Sequence, residues 1–180
     1  MRPPSRRQAL VLFFAGCACP LFAIDSRDPA PKFRAKTMQG EALNNDALLG
    51  KVVLLQFWAT WCQYCRQDQP AMDAIQSEFG SKVTILNVDV GESKKTVQRY
   101  LERNPKPGKT ILNEDTNLPA MFEAKSYPHY VLIDDRGKIA GEQKGAGGQR
   151  ALRALLRKAG IVAGEADDFS GRLESSPAKQ

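Results

Sequence analysis

The chain has 180 residues, with 26 Lys and Arg against 20 Asp and Glu, a formal net charge of +6, four cysteines and one histidine. No basic run carries interleaved aromatics, so a nucleic-acid partner is not expected. The only apolar run at the start is too short and interrupted to span a bilayer.

The N-terminus reads Met1-Arg-Pro-Pro-Ser-Arg-Arg7 and then Ala9-Leu-Val-Leu-Phe-Phe-Ala15. A basic stretch before a short apolar run has the shape of a secretory signal, with cleavage after Ala23. Phe14-Ala15-Gly16-Cys17 also resembles a lipoprotein box, with Phe where Leu is usual, so soluble export and a membrane anchor through Cys17 both stay open. Removing residues 1–23 takes away three arginines and no acids. Lys and Arg fall from 26 to 23, and against 20 acids the remaining charge is +3. Export implies an oxidising compartment, here the periplasm. Of the four cysteines only Cys62 and Cys65 then remain. One closely spaced pair does not staple a fold, so it is read as a pair for exchange.

Residues 24–32 are rich in proline and charge and read as an exposed lead-in. Residues 33–160 are long enough for one domain with a real core. Phe33 to Leu43, with a turn at Gln39-Gly40, predicts a hairpin. Asn44-Asn45-Asp46 supplies a cap for a short helical turn ending at Gly50. Val52–Phe57 is an apolar run that reads as a buried strand. Gln67–Phe79 carries Met72, Ile75 and Phe79 at helical spacing. Val83–Val88 is a second buried strand, and Ser93 caps a helix carrying Val97, Tyr100 and Leu101. Asn104-Pro-Lys-Pro-Gly108 breaks that helix, and Leu118–Phe122 is a short helix at most. Tyr130–Ile133 and Lys138–Gln143 are strands around a turn at Asp135-Arg-Gly137. Gln149–Ala159 is an amphipathic helix with Arg150, Arg153 and Arg157 off its apolar face. Residues 161–180 lose periodicity and read as a disordered tail. The order is β-α-β-α-β-β-α behind an added N-terminal β-hairpin, an α/β fold with a mixed central sheet flanked by helices.

The chemistry is concentrated in Trp58-Ala-Thr-Trp-Cys62-Gln-Tyr-Cys65. Cys62 falls at a strand-to-helix junction, where free amides and the helix dipole stabilise a thiolate. Cys65, one turn on, is placed to attack a mixed disulfide from within the chain. A closed zinc site of four cysteines, or of two cysteines and two histidines, cannot be assembled once residues 1–23 are gone. His129 leaves one metal alternative, a copper-handling metallochaperone using Cys62, Cys65 and His129. Its bland counterpart is a strand histidine with a satisfied ring. Trp58 and Trp61 read as packing residues, with Trp61 lining the surface of the pair.

The arrangement resembles the thioredoxin fold, and more narrowly the exported thiol-disulfide oxidoreductases of the TlpA/ResA type. The residues that carry the resemblance are Asp28-Pro-Ala-Pro-Lys-Phe33, Gly50-Lys51, Phe57-Trp-Ala-Thr-Trp-Cys-Gln-Tyr-Cys65, Pro70 and Tyr127-Pro128. It implies that Cys62 and Cys65 form the redox-active disulfide, and that Pro70 kinks the active-site helix. It also implies a cis bond before Pro128, beside the disulfide, where the backbone of Tyr127 pairs with a substrate strand. Trp61, Gln63 and Tyr64 complete the expected substrate surface. Asp68 stands where the family often has a glutamate that assists proton transfer, against the plain alternative of a solvated helix carboxylate. Gln56 stands where thioredoxin has a buried aspartate; as a neutral group it is expected to hydrogen-bond locally. The dipeptide Gln63-Tyr64 departs from the Pro-Pro, Glu-Pro or Gly-Pro pairs of familiar relatives. The expected function is reduction or exchange of disulfides in protein substrates without a cofactor. The partners this implies are apocytochrome c or copper-centre assembly factors as substrates, in cytochrome c maturation, and a membrane thiol electron donor. A monomer is expected.

Overall fold

The structure is a computed structural model that describes residues 28–162. The expected signal segment 1–23 and nearly all of the expected tail lie outside the described residues.

Seven strands form one sheet in the order β2-β1-β5-β4-β3-β6-β7. They are β1 (Arg34–Thr37), β2 (Ala42–Asn44), β3 (Val52–Trp58), β4 (Val83–Asp89), β5 (Lys109–Thr116), β6 (His129–Ile133) and β7 (Ile139–Lys144). The helices are α1 (Asn45–Leu48), α2 (Gln63–Gln67), α3 (Gln69–Phe79), α4 (Lys94–Arg103), α5 (Leu118–Met121) and α6 (Gly148–Arg157). The three central strands β5, β4 and β3 run parallel, and every other pairing is antiparallel. This is the thioredoxin-like mixed sheet flanked by helices.

Strand β3 is buried along its whole length because helices or loops cover both faces of the sheet. Its residues alternate between two cores. Val53, Leu55 and Phe57 face a cluster with Phe33, Leu48, Leu118 and Phe122. Val52 and Leu54 face Met72, Ile75 and Phe79 of α3 and Leu152, Leu155 and Leu156 of α6. The caps read from sequence are present: Asn44 accepts from the Ala47 amide, and Ser93 from the Thr96 amide.

Three features differ from the sequence reading. Strand β5 was not expected, yet it is the strand on which the hairpin docks: β1 pairs with β5, and β5 with β4. Its start is permitted by Gly108, at φ +83, where any Cβ would clash with the Ile85 carbonyl of β4. The lead-in is not loose over its described part. Pro29 bridges to Lys138, the Ala30 amide donates to the Gly137 carbonyl, and Ala30 is buried. Finally, the single helix expected over Gln67–Phe79 is two helices meeting at Asp68, with Pro70 in the first turn of α3.

Candidate redox site

Strand β3 ends at Trp58, and the loop Ala59–Trp61 leads to Cys62, which caps α2. Cys62 and Cys65 are joined by a disulfide across 5.3 Å of Cα separation. The Cys65 amide donates to Cys62 Sγ at 3.0 Å. Both cysteines are buried, at 4% and 2% exposure, in a cluster with Trp58, Ala59, Val97 and Leu112. The next side chains outward are Trp61 and Tyr64, at 64% and 62% exposure, and Gln63 is exposed with them. The Tyr127–Pro128 peptide is cis. Tyr127 packs against the cysteine cluster and meets the Trp61 ring edge-on at 5.9 Å. Trp61 and Tyr127 therefore form an aromatic pair beside the disulfide, and Tyr64 is exposed on the helix that carries it.

Asp68 is not a solvated helix carboxylate. It is 3% exposed and accepts from Tyr130 Oη at 2.9 Å and from the amides of Gly148 at 2.8 Å and Gly147 at 3.3 Å. The cap of α6 is Gly147, which has no side chain, so Asp68 supplies from α2 the anion that a helix start favours. Tyr130 Oη also accepts from Gln56 Nε2 at 3.1 Å. Gln56 thus bonds locally, as expected, while its Oε1 has no partner among the described residues. Burial, reinforced by the Asp68 carboxylate, holds the Tyr130 hydroxyl above the ordinary tyrosine range.

His129 is buried in β6. Its Nε2 lies 3.1 Å from Glu142 Oε2 and its ring 5.6 Å from that of Phe57. Among the described residues, with Cys62 and Cys65 joined as a disulfide, no group of three or more His, Cys, Asp or Glu side chains is placed to hold a metal ion.

Three residues around the pair carried no sequence signal. Glu92 accepts from both the amide and the hydroxyl of Thr60, at 2.6 and 2.5 Å, and so holds the loop before Cys62. Behind it Asp89 is wholly buried and accepts from the Gly91 and Glu92 amides. Burial, with the Glu92 charge adding to it, raises the Asp89 carboxyl to about 6 against the pull of those two amides. Lys106 donates to Gln69 Oε1 and stands 4.7 Å from the Trp58 ring centroid. Burial lowers its ammonium to about 8, partly offset by the Asp73 charge.

Comparison with known proteins gives a consistent picture. Residues 26–141 match the model of the AhpC/TSA family. "Thioredoxin-like protein YneN" of Bacillus subtilis is 34% identical over 118 residues, 64% of this chain and 69% of that one. "Thiol-disulfide oxidoreductase ResA" of Bacillus cereus is 26% identical over 130 residues, 72% of this chain and 75% of that one. A solved structure described as a putative thiol:disulfide interchange protein DsbE from Chlorobium tepidum superposes with a TM-score of 0.67 at 26% identity, over 76% of this chain and 99% of its own. No described helix is long and apolar enough to cross a membrane. The chain belongs to the AhpC/TSA family, among its thioredoxin-like members akin to the ResA and DsbE thiol-disulfide oxidoreductases.

Proposed function

We propose that the chain is an exported thiol–disulfide oxidoreductase that reduces disulfides in protein substrates through Cys62 and Cys65. The observation that carries this is the Cys65 amide aimed at Cys62 Sγ. In the reduced protein the same donor favours the thiolate of Cys62, the nucleophilic form. That thiolate attacks one substrate sulfur, and the other leaves as a thiolate and takes up a proton. Cys65, once deprotonated, attacks Cys62 Sγ of the mixed disulfide and releases the substrate dithiol. The pair gives up two electrons and is left oxidised, so a thiol electron donor at the membrane must reduce it again.

Trp61, Gln63, Tyr64, Tyr127 and Pro128 form the substrate surface in this reading. The exposed aromatics support it, since such side chains give interfaces large contact area at low entropic cost. Asp68 is given a positioning role: three donors already occupy its carboxylate, which leaves it poorly placed to take the Cys65 proton. Export, with residues 1–23 removed or with Cys17 lipidated, is supported by the basic-then-apolar start of the chain. Apocytochrome c or a copper-centre assembly factor is the substrate class that the resemblance suggests.

The reduction potential tests the direction. A reductant lies near thioredoxin, about −270 mV, and a strong periplasmic oxidant near about −120 mV. The gap of about 150 mV is roughly 7 kcal/mol for two electrons. Equilibration of the Cys62–Cys65 pair with dithiothreitol or glutathione buffers should give a value below about −160 mV, and a higher one would place the protein among the oxidants.

A further inference from the structure

We propose that a basic cleft beside the redox pair selects protein substrates that carry acidic side chains next to the disulfide they present. The inference rests on the oxidoreductase reading above and adds the substrate's charge to it. Helix α4 is set so that Thr96, Arg99, Tyr100, Arg103 and Asn104 face Thr60 across a cleft of about 290 Å³. Thr60 lies two residues before Cys62, so the cleft opens onto the loop that carries the nucleophile. Arg66, one residue after Cys65, donates from Nη1 to the Thr60 carbonyl at 2.9 Å. It brings a third guanidinium to the same loop.

These cations are available. Arg66, Arg99 and Arg103 are exposed, and none takes part in an ion pair among the described residues. The carboxylates that might have neutralised them are engaged or absent from the cleft. Glu92 keeps its charge although both its oxygens are held by Thr60, and it offsets one of the three guanidiniums; Asp89 is buried, and Glu102 accepts from Gln98 and does not line the cleft, so the balance stays positive.

The placement also works against the helix that bears it. Helix α4 has Lys94 and Lys95 in its first turn and no acid there, although a helix start favours negative charge. Arg99 and Arg103 are four residues apart, where like charges repel. Mere solubility would be served as well by acids at these positions. What the arrangement does provide is a positive field at the mouth of the redox site, flanked by the exposed aromatics Trp61 and Tyr64. Guanidinium forks bind carboxylates in two-pronged fashion, and a field of one sign speeds the approach of its opposite. The occupant that fits is a polypeptide segment lying over Cys62 with Asp or Glu beside its own cysteine.

Three disulfide peptides identical except for Glu, Gln or Lys at two positions next to one cysteine test this, with neutral hydroxyethyl disulfide as a small substrate that has no use for the cleft. The wild type should reduce the Glu peptide with a kcat/KM about tenfold above that for the Gln peptide, chiefly through KM, and the Lys peptide should be slowest. Raising salt should shrink the preference. Arg99→Gln with Arg103→Gln should cut it to about twofold or less, the remainder being due to Arg66, while leaving rates on the Gln peptide and on hydroxyethyl disulfide unchanged. Equal rates on the Glu and Gln peptides in the wild type, or an undiminished preference in the double variant, would overturn the proposal. Failure of the wild type to reduce hydroxyethyl disulfide would sink the exchange reading of Cys62 and Cys65, and this proposal with it.

Discussion

Replacing Asp68 separates a positioning carboxylate from a catalytic base. Asp68 joins three elements: its backbone amide closes α2, and its carboxylate holds Tyr130 of β6 and occupies the start of α6. In Asp68→Ala the Tyr130 hydroxyl loses a charged acceptor in a fully buried setting, a loss of about 1.5–3 kcal/mol. The Gly147 and Gly148 amides are only part-buried and can turn to water, so their loss is mainly that of the anion at the α6 terminus, about 0.5–1 kcal/mol. The total is about 3 kcal/mol, which for a domain of this size lowers Tm by roughly 10 °C. Asp68→Asn keeps one acceptor oxygen and removes the charge, and should cost about 1 kcal/mol. Urea and thermal unfolding of the oxidised protein measure both, and single-turnover reduction of a model disulfide measures the chemistry. The positioning role predicts that Asp68→Asn, folded at the assay temperature, keeps the reduction rate within a few-fold of wild type with its pH profile unmoved. An Asp68→Ala variant as stable as wild type, or an Asp68→Asn variant of normal stability that loses about a hundredfold in rate, would refute the reasoning.

Cys62 should be the more acidic thiol of the reduced protein: in single Cys→Ala variants, alkylation at neutral pH should be faster where Cys62 remains, and the reverse order would exchange the two roles. Asp89→Asn should raise stability at pH 7.5 and make no difference below about pH 4. The raised carboxyl binds its proton more tightly in the fold than in the unfolded chain, so its contribution is full below about pH 4 and is lost as pH rises through about 6; urea midpoints across that range check the sign. Lys106 has the opposite sign, because its ammonium is lowered to about 8 in the fold, so stability from it is gained as pH rises from about 8 towards the unfolded value near 10.5. In a Trp61→Phe background, Trp58 emission should titrate with a midpoint of about 8, and that transition should vanish in Lys106→Met.

What the sequence shows and hides follows from the range of the interactions. The strands β3, β4 and β6 are mostly apolar runs with few polar interruptions, because each is covered on both faces, and runs of that kind can be read directly. Strand β5 escapes because only Thr110, Ile111 and Leu112 are buried, and Asn113-Glu-Asp-Thr116 behind them looks like a polar loop. It is a strand because β1 and β4 stand on either side to pair with it, a fact of tertiary structure rather than of propensity. The cysteine pair was legible for the contrary reason: its spacing and its place between strand and helix are local. The partners of Asp68 are not local, since Tyr130 is 62 residues away and Gly148 is 80. Read along the chain, a carboxylate three residues after Cys65 offers a proton acceptor or a solvated side chain, and neither reading carries its buried partners. Lys106 between two prolines gave no hint that its ammonium packs over Trp58.

The long-range contacts share a geometry. The redox helix α2 is only five residues long and cannot hold its own shape by helix propensity. It is gripped at both ends from elsewhere in the fold. Before it, Glu92 binds the amide and hydroxyl of Thr60, and Arg66 binds the Thr60 carbonyl. After it, Asp68 is bound to Tyr130 and to the amides that open α6. Disulfide exchange asks Cys62 and Cys65 to move apart and meet again within a single turnover, and each return is faster if the backbone that carries them has not relaxed in between. A short helix clamped by a carboxylate at each end, Glu92 before it and the buried Asp68 after it, meets that demand. Buried polar groups are expensive unless paired; Asp68 and Gln56 lie near the redox segment along the chain and share Tyr130, and Asp89 reaches it through the Glu92 amide, Glu92 in turn holding Thr60. The cost of keeping them there is what a rigid frame around a reactive pair requires, and it is also why their removal should appear first in stability and only then in rate.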